Sequence, residues 1–130
     1  MNRRVIEVPV LSQALGALGV PLSLAVSANG FVFISGIPPM DCATGAIVRG
    51  DIETQTRASI EALRHCLQAA GSSLDKVVST RVYASNAGYY DAINDIYGQY
   101  FSSAPPARTF VAVGSWPRAF DVEIECTALA

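Results

Sequence analysis

The spacing of apolar residues along this chain changes from a period of two to one near 3.6 and back, and each change marks an element. Arg4 to Val8 (RVIEV) alternates and predicts a short strand that Pro9 ends. Residues 11–20 are small and apolar, with Gly16 and Gly19, and fit either a loop or a helical turn. Two apolar runs, Ala25–Ser27 and Phe31–Ser35, flank Ala28-Asn29-Gly30, and an Asn-Gly pair so placed predicts a β-hairpin. Gly36-Ile37-Pro38-Pro39 ends the second strand, since each proline lacks a donor and restricts its predecessor. Asp51 is a good N-cap for a long helix. Ile52, Ile60, Leu63, Leu67 and Ala70 form its buried stripe, Arg57, Glu61, Arg64 and Gln68 its wet side, and Gly71 its terminator. Lys76–Ala84 predicts a strand with Val78, Thr80, Val82 and Ala84 on one face. A second helix, from about Gly88 to Phe101, buries Tyr90, Ile93, Tyr97 and Tyr100, with Asn94 at the edge of that stripe.

The last quarter, Pro105–Ala130, holds two more alternating runs. In the first, Arg108, Phe110 and Ala112 share a face. In the second, Val122, Ile124, Cys126 and Ala128 share one face, and Asp121, Glu123, Glu125 and Thr127 the other. Gly114-Ser115-Trp116-Pro117 between them permits a reversal, so an antiparallel pair is expected. That pair brings Arg108 near Glu123 and Glu125, where a cation and a carboxylate can hold a small anion and steer a water. Periodicity alone does not choose between the two glutamates. The whole order predicts a single α+β domain, residues 1–130, with one mixed or antiparallel sheet and two helices on one face.

Composition narrows the function. A 51% hydrophobic and 15% charged chain excludes disorder, and so few charges predict that the second sheet face is apolar and covered by further copies of the chain. The net charge of −2, without a basic run, gives no reason to expect a nucleic acid. No apolar run reaches membrane-spanning length, and Met1-Asn2-Arg3-Arg4 leads into no signal-peptide core. Cys42, Cys66 and Cys126 are far apart and read as reduced thiols of a cytoplasmic protein. The lone His65 is expected in solvent, and no ligand spacing predicts a metal. The tyrosines of the second helix read as core or interface rather than a stacking platform, because nothing basic interleaves them.

Several ordered motifs carry a resemblance: Ser35-Gly36-Ile37-Pro38, Thr44-Gly45 with Gly50-Asp51-Ile52, Gln55-Thr56, Ala70-Gly71, Asn94-x-x-Tyr97 with Tyr100-Phe101, Pro106-Ala107-Arg108-Thr109, and Val122-Glu123-Ile124-Glu125. Over residues 20–130 the chain resembles the Rid (YjgF-like) family of reactive-intermediate imine deaminases. The resemblance implies a chorismate-mutase-like fold and a homotrimer with sites in the clefts between subunits. It implies hydrolysis of 2-imino acids to 2-keto acids and ammonia without metal or organic cofactor. Arg108 matches the arginine that grips the substrate carboxylate, and a guanidinium fork suits that task. Glu123, rather than Glu125, matches the glutamate that positions water. Ser35, Gly36 and Asn94 match pocket residues, and the Phe110 backbone matches a main-chain contact to the imine nitrogen or the water.

The chain departs from the family pattern at Val20-Pro21-Leu22-Ser23-Leu24-Ala25, where small-substrate members have Gly-Pro-Tyr-Ser-Gln-Ala. Leu22 replaces the tyrosine that reaches over the pocket, and Leu24 a polar glutamine. Phe110 stands where a small residue is common, and Trp116 where leucine is frequent. A more apolar pocket is expected, with at least one of Leu22 and Leu24 facing it and imines of bulky amino acids handled well. A non-catalytic small-molecule-binding trimer is the alternative reading. Ribonuclease activity, attributed to some relatives, is disfavoured by the acidic balance.

Overall fold

The structure is a computed structural model that describes residues 2–130. Strands β1 (Arg4–Ile6), β2 (Ala25–Ala28), β3 (Phe31–Ile37), β4 (Val77–Ala84), β5 (Ala107–Ala112) and β6 (Val122–Leu129) form one sheet in the order β1-β2-β3-β6-β4-β5. Helices α1 (Leu11–Ala17), α2 (Ile52–Ala69) and α3 (Tyr90–Tyr100) complete an α+β architecture, with single 3₁₀ turns before β4 and α3. The predicted hairpin forms at Asn29-Gly30, where both residues take positive φ. Residues 11–17, open between loop and helix in the sequence, are helical, and Leu11 is buried.

The expected β5–β6 antiparallel pair does not form. β5 runs parallel to β4, with Arg108 beside Thr80 and Phe110 beside Val82, while β6 lies antiparallel between β3 and β4. The physical reason lies in burial. Val122, Ile124, Cys126 and Ala128 are all buried and need a central place, whereas every residue of β5 stays at least partly exposed, as suits an edge strand. Residues 113–121 are long enough to carry the chain past β4 instead of turning tightly. α3 supplies the crossover that a parallel β4–β5 pair needs.

Asp51 caps α2 by accepting a 2.8 Å hydrogen bond from the Thr54 N–H. Ile60, Leu63 and Leu67 are fully buried, as the period predicts, and Leu63→Ala would cost about 2–5 kcal/mol. Pattern reasoning missed the buried polar groups among them: Ser59 donates from Oγ to the Ile37 carbonyl at 2.7 Å, and Thr56 to that of Ile52 at 2.7 Å. Two other expectations change. A register shift between Val77 and Ser79 buries Val77 and leaves Val78 41% exposed. Tyr90 is 44% exposed rather than core, and Ile96 is buried in the α3 stripe.

The sheet face away from α2 and α3 is only half apolar. Val5, Phe31, Phe33 and Leu129 are exposed toward β1–β3, but Arg81, Tyr83, Glu123 and Glu125 form a polar ladder across β4 and β6.

Candidate active site

The sequence-derived site residues fall into two clusters, on opposite faces of the sheet. Arg108 and Phe110 point from β5 toward α3. The Arg108 guanidinium carbon lies 4.9 Å from the Tyr97 ring centre and 5.5 Å from that of Tyr90. Tyr90, Asn94 and Tyr97 are spaced i, i+4, i+7, so one stripe of α3 presents all three. The Phe110 ring meets Tyr90 edge to face at 4.9 Å. Cation–π contacts of this kind are worth about 0.5–2 kcal/mol each and fix the guanidinium without neutralising it. Among the described residues no carboxylate lies within 4 Å of Arg108, the ion pairs being Arg64–Glu61 and Arg81–Glu125. Arginines from other elements lie over the second-helix tyrosines, Arg57 and Arg64 of α2 over Tyr100 and Arg108 of β5 over Tyr90 and Tyr97.

This cluster is polar where it could have been dry. Tyr97 Oη and Thr80 Oγ1 share a 2.7 Å hydrogen bond, and burial pushes the Tyr97 phenol up, so it stays neutral. Asn94 Oδ1 is buried with no hydrogen-bond partner among the described residues, an unmet acceptor of the kind that native proteins rarely leave empty. β5 is an edge strand, so one row of its backbone groups is unpaired. The Val113 N–H donates to the Ala84 carbonyl on β4 at 2.8 Å, and strand alternation then turns the Phe110 N–H toward the free edge.

The second cluster gathers where β3 ends and β6 begins. Ser35 donates from Oγ to the Ser23 carbonyl at 2.7 Å, and its N–H to that of Leu24 at 2.9 Å, which ties the 21–24 segment to β3. The register breaks between Ile34 and Ile37, and this bulge sets Gly36 against the Glu123 carboxyl. A Cβ added at Gly36 would overlap Glu123 Oε1 and lie 2.7 Å from its Cδ, so only glycine lets the carboxylate sit there. Leu24 is core, 3% exposed, and Leu22 is 46% exposed, so of the two leucines Leu22 is the one free to meet a ligand.

The two glutamates share a face but not an environment. Glu125 accepts a hydrogen bond from Tyr83 Oη and lies 3.9 Å from Arg81. Glu123 has no such partner among the described residues. Burial, and then the neighbouring Glu125 charge, raise its carboxyl above the usual value of 4.5. Tyr83 and Arg81 were missed from sequence. Their alternate positions on β4 were the available signal, but it speaks only once β6 is known to be β4's neighbour.

One expectation is corrected outright: Arg108 and Glu123 do not meet within one chain. Arg108 lines up through Thr80 with Cys126, on the helix side. Glu123 lines up with Tyr83 and Val111, on the open side. No cluster of three or more His, Cys, Asp or Glu that could hold a metal occurs among the described residues.

The family model described as Endoribonuclease L-PSP matches residues 12–130. The chain belongs to the Rid (YjgF-like) family. Relatives in the same family include a RutC family protein, PH0854, of Pyrococcus horikoshii, 41% identical over 108 residues that make up 83% of this chain and 86% of that protein. The chloroplastic Reactive Intermediate Deaminase A of Arabidopsis thaliana is 34% identical over 122 residues, 94% of this chain and 65% of that one. Among solved structures, the conserved Rid family protein YyfA from Yersinia pestis superposes with a TM-score of 0.89 at 36% identity, covering 99% of this chain and 100% of its own. The α+β fold with one mixed sheet is thus the fold of a Rid protein. No helix among the described residues is long and apolar enough to cross a membrane.

Proposed function

We propose that this Rid protein hydrolyses 2-imino acids to 2-keto acids and ammonia, in a chorismate-mutase-like homotrimer whose sites lie between subunits. One observation carries the reading: an unpaired guanidinium and an unpaired, half-buried carboxylate occupy opposite faces of one sheet. Each is costly to leave without a partner, and a second copy can bring the Arg108 cluster of one chain to the Glu123 cluster of another. Such a contact joins two different surfaces head to tail, and it closes into a ring when the rotation between neighbours is a whole fraction of a turn.

In the composite site Arg108, held on Tyr90 and Tyr97, binds the substrate carboxylate bidentately. Glu123 accepts a hydrogen bond from a water and aims it at the imine carbon. As the water oxygen bonds to that carbon, its proton passes by way of Glu123 to the nitrogen, giving a carbinolamine. Collapse then breaks the C–N bond as the hydroxyl proton passes the same way to the departing nitrogen, releasing ammonia and the keto acid. A carboxylate with a raised pKa is better poised for proton exchange near neutrality than an ordinary one. The Phe110 N–H on the free edge and the unpartnered Asn94 Oδ1 supply a donor and an acceptor for the imine nitrogen or the water. Most of the acceleration comes from holding water and carbon in line, since iminium carbons are already electrophilic. Leu22 in place of a hydroxyl-bearing residue makes the rim apolar and favours larger side chains.

The test is keto-acid release from imines generated in situ by an amino-acid oxidase, compared across alanine, leucine and phenylalanine as parent amino acids. Activity that Arg108→Ala abolishes and Arg108→Lys barely restores supports the reading, because lysine lacks the planar fork. A wild-type rate indistinguishable from spontaneous hydrolysis overturns it in favour of a binding role.

A further inference from the structure

We infer that the chain carries a second ligand site, for a small anion bearing a planar ring, between the β5–β6 loop and the start of α2. A cavity of about 370 Å³ lies there, walled by Arg49, Gln55, Ser85, Trp116, Arg118 and Asp121. None of the residues in the two candidate half-sites lines it.

Its charge is unbalanced toward an anion. Arg49 and Arg118 have no carboxylate within 4 Å among the described residues. The wall's own carboxylate is already engaged: Asp121 Oδ2 accepts from Gln55 Nε2 at 3.1 Å, and Oδ1 from Ser85 Oγ at 2.8 Å. Two guanidiniums therefore face one satisfied carboxylate.

The wall is also built rather than incidental. Gln55 is only 5% exposed. Its Oε1 accepts from the Asp121 N–H at 2.8 Å, while Nε2 also donates to the Gly50 carbonyl at 2.9 Å. The Ser85 N–H donates to the Asp121 carbonyl at 3.0 Å. These bonds pin the end of the loop to α2 and β4 and hold the cavity open without a ligand. Trp116 packs on Phe120 with ring centres 4.7 Å apart, which fixes the indole as a flat, half-buried wall. Guanidinium forks suit a carboxylate or phosphate head, and an immobilised indole suits a ring attached to it. Trp116, expected from sequence to bear on the imine pocket, instead stands in this wall.

Trp116 is the sole tryptophan, so its emission reports on this wall alone. The native assembly is titrated with phenyl phosphate and phenylacetate, with inorganic phosphate as the ringless control and benzyl alcohol as the uncharged one. Saturable emission changes are expected with the ring-bearing anions, with each control weaker by about tenfold or more, and the preferred head group identifies phosphate or carboxylate. The double variant Arg49→Gln/Arg118→Gln should weaken binding about tenfold or more and leave keto-acid release unchanged, and each single variant should weaken it by a smaller factor. Both arginines are exposed, so these variants keep the core intact. Arg108→Ala should leave the titration unchanged, which separates this site from the imine site whether or not the latter is catalytic. The inference is overturned by no saturable change, by an equal response to benzyl alcohol, by undiminished binding to the double variant, or by loss of binding in Arg108→Ala.

Discussion

Mixing two inactive variants tests the composite site most directly. Arg108→Ala removes the carboxylate clamp and leaves Glu123 untouched on the opposite sheet face, and Glu123→Gln does the converse. Loss of a charge-assisted, desolvated contact costs about 2–5 kcal/mol, so each variant alone should fall by about thirtyfold or more. The two are then co-expressed with different tags, and mixed assemblies are purified through both. If every site takes Arg108 from one chain and Glu123 from its neighbour, any head-to-tail trimer that carries both tags has one intact pair among its three sites, whichever variant is in the majority. Activity should recover to about a third of wild type. Keto-acid release is the assay, and native mass spectrometry establishes that mixed assemblies are present. Recovery no greater than either parent, with mixing shown, refutes the composite site, because Arg108 and Glu123 would then act in the same chain or not at all.

Glu123→Gln should also stabilise the fold in a pH-dependent way. The raised carboxyl pKa means that Glu123 supports the fold most at low pH, and that this contribution is lost as pH rises from near 4.5 through the folded value. Differential scanning calorimetry should therefore show the glutamine variant gaining on wild type between pH 4 and neutrality, and a constant offset would show that burial of the charge is not the cause. Gly36→Ala should leave the melting temperature within a few degrees, because only the flexible end of Glu123 must yield, yet reduce keto-acid release about tenfold or more by displacing that carboxylate. An unchanged rate would remove Glu123 from the site. Val10, at φ 68 and ψ −53 with the Leu11 N–H on the Pro9 carbonyl at 2.8 Å, sits in a strained γ-turn. Val10→Gly should relieve about 1 kcal/mol, read as an increase in the denaturation midpoint, and a decrease would show that the packing of Val10 outweighs the strain.

Much of this molecule was legible in the chain because its signals are local. The period of α2, its Asp51 cap, the Asn29-Gly30 hairpin and the buried row Val122-Ile124-Cys126-Ala128 each depend on residues a few positions apart. The ordered motifs identified the family for the same reason. Strand neighbours are not local. Whether β6 pairs with β5 or slips between β3 and β4 is decided by which strand gains most from central burial, a comparison that no single stretch contains. From that one placement follow the remaining corrections. Arg108 and Glu123 part to opposite faces, and Arg81 and Tyr83 come up beside Glu125 and leave Glu123 as the free carboxylate. Arg108, on the edge strand, finds tyrosine rings on α3 instead of a glutamate. The sequence by itself determined the elements and the chemical groups they carry. The tertiary structure decided which groups meet, because in a sheet every neighbour is set by burial and hydrogen bonding between segments that are distant along the chain.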